Sequence, residues 1–333
     1  MLDMTSATTS RRTVTHAASF GIAQSLRHVR LVLLVWFVFL TLAWVAALPA
    51  WRWFSGVLSY APEGDRLLAG LNAALLRELT HYDRSPMIAV AMGSSFAFFL
   101  IALVLNPFVA GGTLGILFPS PRDSGERVRV RGVTRRFVDA GVHWYWRFAR
   151  ILLLVGMLGA GLTMVLAAGF EGIGSVFDDR GMAVASMWTE NLMLLMWLVV
   201  FGVCSLIIDI ARIFLIRRDD GRAIAAVKQS LRFLWRNTGA VVVVGVMFGL
   251  MVAAAIAIYN LVASGITPLS WGLIAFTIIW QQLFALTRTT LRVGLVAAFV
   301  ELVDAREPLP IEPAQAVTAA PVDEPVYELP MLG

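Results

Sequence analysis

Six apolar segments, each long enough to cross a bilayer, constrain the fold of this chain more than any motif in it. A membrane-spanning helix needs about 18 to 20 mostly uncharged residues. Such segments are predicted at residues 31–48, from Met87 onward, and at 151–168, 192–216, 240–261 and 270–289. Only 15% of the residues are charged and 59% are hydrophobic, which favours lipid as the surrounding solvent. The sequence therefore predicts an all-α fold, a six-span transmembrane helical bundle at residues 31–305.

The segments on either side of this membrane domain have different compositions. Residues 1–30 form a basic N-terminal segment, and residues 306–333 contain six prolines and five acidic residues with little periodicity. A tail of that composition cannot bury enough apolar surface to fold alone. We expect residues 306–333 to be disordered and cytoplasmic.

Basic residues concentrate in alternate connecting segments, which predicts the orientation of the bundle. Of the 27 basic residues, 22 lie on one predicted side of the membrane. They belong to the N-terminal segment, the loop between spans two and three, the region around the loop between spans four and five, and the C-terminal end from Arg288 onward. Cytoplasmic segments retain such residues, so both termini are predicted to be cytoplasmic. Lys228 is the only lysine, and all the other basic residues are arginines. This preference for arginine is typical of GC-rich bacterial genomes, so we expect a bacterial inner membrane. A cleaved signal peptide is the alternative for the first apolar segment, but the 30 residues before it favour an anchor.

Three basic segments beside the spans are predicted to be amphipathic helices at the cytoplasmic surface. Residues 17–30 show this pattern least clearly. In residues 136–150, the aromatic side is expected at headgroup depth, and it consists of Phe137, Gly141, Trp144, Tyr145 and Phe148. In residues 222–236, the apolar stripe consists of Ile224, Val227, Leu231, Leu234 and Trp235. Because basic residues near anionic lipid gain about 1 kcal/mol each, anionic membrane lipids at the cytoplasmic face are an expected partner.

Short similarities between these segments predict an internal repeat. Gln24-Ser25-Leu26-Arg27 precedes the first span, and Gln229-Ser230-Leu231-Arg232 precedes the fifth. Trp146-Arg147-Phe148-Ala149-Arg150 occupies the equivalent place before the third span. The predicted unit is a surface helix followed by a hairpin of two spans, used three times. Chance and shared membrane composition are the alternative explanation.

The second apolar segment is too long for one straight span. Residues 87–118 would form a helix of about 48 Å, against a hydrocarbon core of about 30 Å. Asn106 and Pro107 supply a candidate helix break, since proline lacks a backbone donor and restricts the residue before it. A kink near the cytoplasmic end is favoured over a discontinuous, transporter-like helix. Gly111 with Gly115, and Gly245 with Gly249, are spaced for close helix packing.

Ionisable residues inside the spans mark a candidate polar membrane site, because a central Asp or Arg costs about 2.5 to 3.5 kcal/mol to insert. Asp209 and Arg212 lie one turn apart in the fourth span, where a local ion pair that reaches the interface is the favoured interpretation. The sixth span carries a polar stripe consisting of Thr277, Gln281, Arg288 and Arg292. We expect Asp209 to contact Arg288 or Arg292.

The sequence contains no motif typical of catalysis, metal binding or cofactor binding. The four histidines (His16, His28, His81 and His143) have no zinc-ligand spacing, and no phosphate-binding glycine loop occurs. The single Cys204 has no partner for a disulfide or a cysteine-based metal site and is expected to pack as a small apolar residue. We therefore expect no enzyme activity and no cofactor. Nucleic acid is not an expected partner, because the positive charge lies in loops rather than in one basic domain.

Asp209-Ile210-Ala211-Arg212, followed by the basic amphipathic segment 223–236, resembles uncharacterised bacterial polytopic membrane proteins. Some of these are similar to the membrane domain fused to glycerophosphodiester phosphodiesterases. The resemblance implies surface helices that alternate with hairpins, and without the phosphodiesterase domain it implies no such activity. We expect a non-enzymatic integral inner-membrane protein that organises or assists a membrane process, with a protein partner. The alternative is a transporter or permease-like protein for a small solute or lipid.

Overall fold

The structure, a computed structural model, describes residues 4–60, 84–118, 132–218, 222–266 and 271–307. These residues form seven helices and no strand. The helices are α1 (Met4–Arg27), α2 (Val29–Tyr60), α3 (Arg84–Leu117), α4 (Val133–Asp179), α5 (Ala183–Arg218), α6 (Ala223–Ser264) and α7 (Trp271–Arg306). The predicted disordered tail lies outside the described residues from 308 onward.

Six of these helices, α2 to α7, contain an apolar stretch long enough to cross a membrane. The prediction of an all-α bundle with six spans is confirmed, and the chain is a multi-pass integral membrane protein. The helices extend beyond the predicted apolar segments, because hydropathy marks the part inside lipid and not the hydrogen-bonded ends. Thus α2 continues beyond the predicted end of the first span at residue 48, through Pro49 to Tyr60. Residues 61–83 lie outside the described residues.

Consecutive spans pack against each other, and α2 also contacts α7, so the six helices form a closed ring. The three basic segments lie at one end of it. There α1 packs against α7, the start of α4 packs against α3, and the start of α6 packs against α5. The segments that begin α4 and α6 therefore pack on the second span of the preceding hairpin. Helix α1 packs on α7, the second span of the last hairpin. We call this end the basal layer: α1, residues 107–117 of α3, 133–151 of α4, 210–218 of α5, 223–241 of α6 and 293–306 of α7.

The buried core belongs mainly to the basal layer. Its largest fully buried side chains are phenylalanines from three helices, Phe137, Phe148, Phe233 and Phe299. By contrast, residues 190–199 of α5 are all exposed. In a bilayer, lipid covers such apolar surface, whereas the basal layer is held together by protein contacts. Tertiary stability is therefore concentrated at one end of the bundle.

Close approach of α3 and α4 depends on glycines. A side chain on Gly111 or Gly112 would meet Trp144, Gly141 or the ring of Phe137, and one on Gly115 would overlap Ala140. The predicted packing role of Gly111 and Gly115 is confirmed. The aromatic side of the α4 segment was expected to face the lipid headgroups, but Phe137 and Phe148 are buried in the protein. Phe137 packs against Gly112 of α3, and Phe148 lies under Arg212 of α5.

Other glycines behave differently from their predicted roles. A side chain at Gly245 or Gly249 would meet nothing within 4 Å, so the predicted close packing there is wrong. Gly21 of α1, for which the sequence predicts no packing role, lies directly against the backbone of Gly294 in α7. Cys204 packs as expected, since a side chain on Gly159 would come within 2.9 Å of its sulfur.

The structure shows no interruption of the helix at Asn106 and Pro107, and the kink predicted there stays a prediction. Helix α3 continues through both residues to Leu117. Proline removes one backbone donor, a loss that transmembrane helices tolerate, and the residues after Pro107 are held by their packing on α4. The excess length of α3 is accommodated by extension into the basal layer rather than by a break.

The helical backbone is interrupted instead where two of the three basic segments, which we call the surface segments, meet their spans. His28 separates α1 from α2, and Asn237 has non-helical backbone angles inside α6 (φ −123°, ψ 24°). Helix α4 passes from surface segment to span with no such interruption. Ser25 and Ser230, which match in the proposed repeat, are both buried and donate to the carbonyls of Ile22 and Val227. The threefold repeat stays a prediction.

Candidate functional site

Three spans bring polar side chains together where the basal layer meets the membrane. Asp209 and Arg212 come from α5, Arg292 from α7 and Asn106 from α3. We call these four residues the polar cluster. Asp209 and Arg212 are both buried, at 5% and 3% exposure, so their charges are neutralised by protein groups rather than by bulk water.

Asp209 and Arg292 form the main contact of the polar cluster. Arg292 Nη2 donates a hydrogen bond to Asp209 Oδ1 at 2.8 Å and lies 2.7 Å from Oδ2. The expectation that Asp209 contacts one of two arginines is confirmed for Arg292. The Arg292 side chain remains 48% exposed, so this contact lies at the edge of the buried region.

Arg212 connects α5 to α3. Its Nη1 lies 3.7 Å from Asp209 Oδ1, and its Nη2 donates a hydrogen bond to Asn106 Oδ1 at 2.8 Å. The guanidinium also lies over the ring of Phe148, 5.5 Å from the ring centre. The predicted local ion pair is present, but the expectation that Arg212 reaches the interface is wrong. Asn106 and Phe148 hold it inside the protein.

Two hydrogen-bonding atoms of the polar cluster have no partner of suitable geometry among the described residues. They are Arg212 Nε, a donor, and Asp209 Oδ2, an acceptor in contact with Arg292. One carboxylate and two guanidinium groups give the cluster a formal charge of +1. The cluster therefore ties three spans together and keeps one positive charge in excess.

The rest of the predicted polar stripe lies outside this contact network. Gln281 and Arg288 are exposed on α7, and neither has a polar partner among the residues that the structure describes. Thr277 bonds within its own helix, to the carbonyl of Leu273. The structure brings only Arg292 of the stripe to the polar cluster. Asn106, proposed as a break, acts instead as a hydrogen-bond acceptor.

Polar contacts in the basal layer were missed by sequence reasoning. Arg217 of α5 lies 3.0 Å from Asp304 of α7, and Gln229 of α6 lies 3.4 Å from Glu307 beyond α7. The residues of the first pair are 87 positions apart in the sequence and those of the second are 78 positions apart, so local spacing could not have predicted either contact. These contacts hold the C-terminal end of α7 against α5 and α6.

Two pockets in the described part of the chain lie away from the polar cluster. A pocket of about 140 Å³ in the basal layer is lined by Phe20, Gln24, Leu117, Phe118, Ala297, Val300, Glu301 and Asp304. A smaller one of about 20 Å³ lies between α5 and α6. The described residues include no group of His, Cys, Asp and Glu suited to a metal ion. The polar cluster can bridge helices and attract an anion.

Comparison with known proteins adds no family to these observations. No family model, curated protein or solved structure matches the chain. The resemblance to bacterial polytopic membrane proteins stays a prediction.

Proposed function

We propose that this chain is a non-enzymatic integral protein of a bacterial inner membrane that organises or assists a membrane process. In this proposal the basal layer lies on the cytoplasmic side, and its surface segments bind anionic lipid and a protein partner. The observation that carries the proposal is that these segments are built into the protein core. They are parts of the bundle's best-packed region, held by Phe137, Phe148 and Phe233.

The outward edges of the surface segments support a role at the membrane surface. Trp146 and Trp235 are 71% and 89% exposed, and Leu26 and Leu231 are also exposed. Each edge carries arginine next to an apolar side chain, a combination typical of the membrane interface. Three such edges, one from each surface segment, form a rigid platform on which a partner can be held.

The polar cluster supports a structural use of its charges. Asp209, Arg212 and Asn106 are engaged in direct contacts between α3, α5 and α7, and the pockets described above lie elsewhere. Buried charge contacts of this kind favour one arrangement of helices over others. The bundle thus holds the platform in a defined geometry.

A transporter or permease-like protein for a small solute or lipid is the second candidate. One observation favours it: Gln281 and Arg288 are exposed on the helix face that leads to Arg292. Direct contacts join spans two, four and six at the polar cluster, which supports the first proposal over this one.

Charge reversal on the α6 surface segment tests the proposal. Lys228, Arg232 and Arg236 are exposed, and replacing all three with glutamate is expected to remove a copurifying protein and weaken binding to anionic vesicles. The measurement is quantitative mass spectrometry of the protein purified in mild detergent, with Arg180→Glu at the other end of the bundle as the control. Two results would contradict the proposal. The first is recovery of the same partner proteins with both variants. The second is recovery of no partner protein with the natural chain, together with solute flux across vesicles that contain it.

A further inference from the structure

Three alternate helices of the ring meet across its interior at the polar cluster. Helix α5 has α4 and α6 as its neighbours in the ring, yet its Arg212 bonds Asn106 of α3 and its Asp209 bonds Arg292 of α7. These contacts therefore cross the ring, and all four side chains point inward. The polar cluster forms a floor across the interior where the basal layer begins.

Beyond this floor, away from the basal layer, the interior of the ring is open. Phe99 of α3, Leu198 of α5 and Gln281 of α7 lie about two to three helical turns before the polar cluster, on the same inward faces. All three are exposed, Phe99 and Leu198 by more than half. Side chains that packed against each other across the ring would be buried. The inner faces of the three helices are therefore far enough apart to admit groups at least as large as water.

Arg288 and Arg292 lie on this inner surface, next to the floor. Arg288 is one helical turn before Arg292 on the same face of α7, and it is exposed without a polar partner among the residues that the structure describes. Arg292 uses only its Nη2 in the contact with Asp209, and its side chain is 48% exposed. Two neighbouring guanidinium groups therefore offer unused hydrogen-bond donors to the interior of the ring.

The charge around these donors favours an anion. The two exposed arginines and Arg212, with Asp209 as the one carboxylate among them, give a local formal charge of +2. Arg212 is buried, and its Nε has no hydrogen-bond partner among the described residues, so bulk water screens its charge little. Phosphate oxygens suit paired guanidinium groups, which bind them in a forked, charge-assisted geometry. A phosphate group held there would offset the cost of an unpaired arginine inside a span.

We propose that Arg288 and Arg292 bind the phosphate group of a water-soluble anion, which enters the ring from the end opposite the basal layer. The anion is free phosphate or a small phosphomonoester, since both present the same group to the arginines. This site is separate from the surface segments and does not rest on the proposed partner. It assigns a role to Arg288, for which the described residues supply no partner.

The test uses the full chain in a neutral detergent and records its thermal midpoint as a phosphate probe replaces chloride at constant ionic strength. Inorganic phosphate and glycerol 3-phosphate are the two probes, and the one that half-saturates the protein at the lower concentration identifies the source of the phosphate group. We expect a saturating rise of the midpoint for the natural chain. Arg288→Gln should keep the natural midpoint in chloride, because the described residues give Arg288 no partner, and should need about tenfold more probe for the same rise.

Arg232→Gln, at an exposed position of the α6 surface segment, is the matched control and should follow the curve of the natural chain. Phosphate also stabilises proteins in general, because it is excluded from their surfaces. That effect is common to all three chains and does not saturate, so the difference between the two arginine variants measures binding at the site.

A cysteine at position 281 tests the open interior separately. In a Cys204→Ala background, Gln281→Cys should react with a small charged methanethiosulfonate reagent, because this position faces the interior and is exposed. Ile279→Cys is the matched control. It is also exposed, but it lies on the opposite face of α7, where detergent covers it and should make the reaction several-fold slower.

Three results would overturn the proposal. The first is the same dependence of the midpoint on phosphate in Arg288→Gln and in the natural chain. The second is the absence of a saturating rise for the natural chain with either probe. The third is a reaction of Gln281→Cys that is no faster than that of Ile279→Cys, which would show that water-soluble anions do not reach the interior of the ring.

Discussion

Asp209→Ala is expected to lower the free energy of unfolding by about 3 to 5 kcal/mol, because it leaves buried cationic charge without its carboxylate. Arg212 is 3% exposed and cannot turn to water without leaving Asn106 and Phe148. Arg292, which is half-exposed, loses its only described polar contact. Titration of the purified protein from mild detergent into SDS, followed by tryptophan fluorescence, measures the change.

A double-mutant cycle separates the contact between Asp209 and Arg292 from other effects of the substitutions. If the two side chains interact as the 2.8 Å hydrogen bond indicates, Asp209→Ala and Arg292→Ala should be coupled by about 1 to 3 kcal/mol. Arg232→Ala, at an exposed surface position, is the control and should change stability by less than about 0.5 kcal/mol. Additive effects of the two cluster substitutions would show that the contact contributes nothing to folding.

Gly21→Ala is expected to loosen α1 from α7 and to destabilise the protein by about 1 to 3 kcal/mol. The new methyl group would overlap the carbonyl oxygen of Gly294 and lie 2.8 Å from the side chain of Ala298. Backbone cannot give way as a flexible side chain does, so the whole of α1 must shift. Trypsin should then cleave after Arg27, at the end of α1, several-fold faster than in the natural chain.

Gly245→Ala provides the matched control for this substitution. Both glycines are helical, but nothing lies within 4 Å of a side chain added at Gly245. Helix propensity alone then favours alanine, by up to about 1 kcal/mol. Equal destabilisation by Gly21→Ala and Gly245→Ala would mean that the close approach of α1 and α7 is not what holds the basal layer.

The parts of the fold that could be predicted are those governed by local sequence. Each span is recognisable because the whole of its energy of transfer into lipid comes from its own residues. The contact of Asp209 with an arginine followed from the cost of leaving a charge alone in a span. Which arginine it chooses could not be predicted, because Arg288 and Arg292 share a face and differ only in their level relative to α5.

The parts that could not be predicted depend on which helices are neighbours. Periodicity shows that Phe137 and Phe148 share a face, but lipid and a neighbouring helix are both apolar, so the sequence does not say which of them covers that face. The close approach of Gly21 and Gly294 requires knowing that the first helix packs on the last. The helix continues through Pro107, whereas the backbone leaves helical geometry at Asn237, which no helix-breaking residue marks in the sequence.

Cysteine accessibility at the two ends of the bundle decides whether the basal layer lies in the cytoplasm. Arg180 and Lys228 are exposed at opposite ends, and each is replaced by cysteine in a Cys204→Ala background. In spheroplasts, a membrane-impermeant maleimide should label Arg180→Cys at once and Lys228→Cys only after the membrane is opened. Labelling of Lys228→Cys from outside, or of both positions from the same side, would contradict a six-span bundle with its surface segments in the cytoplasm.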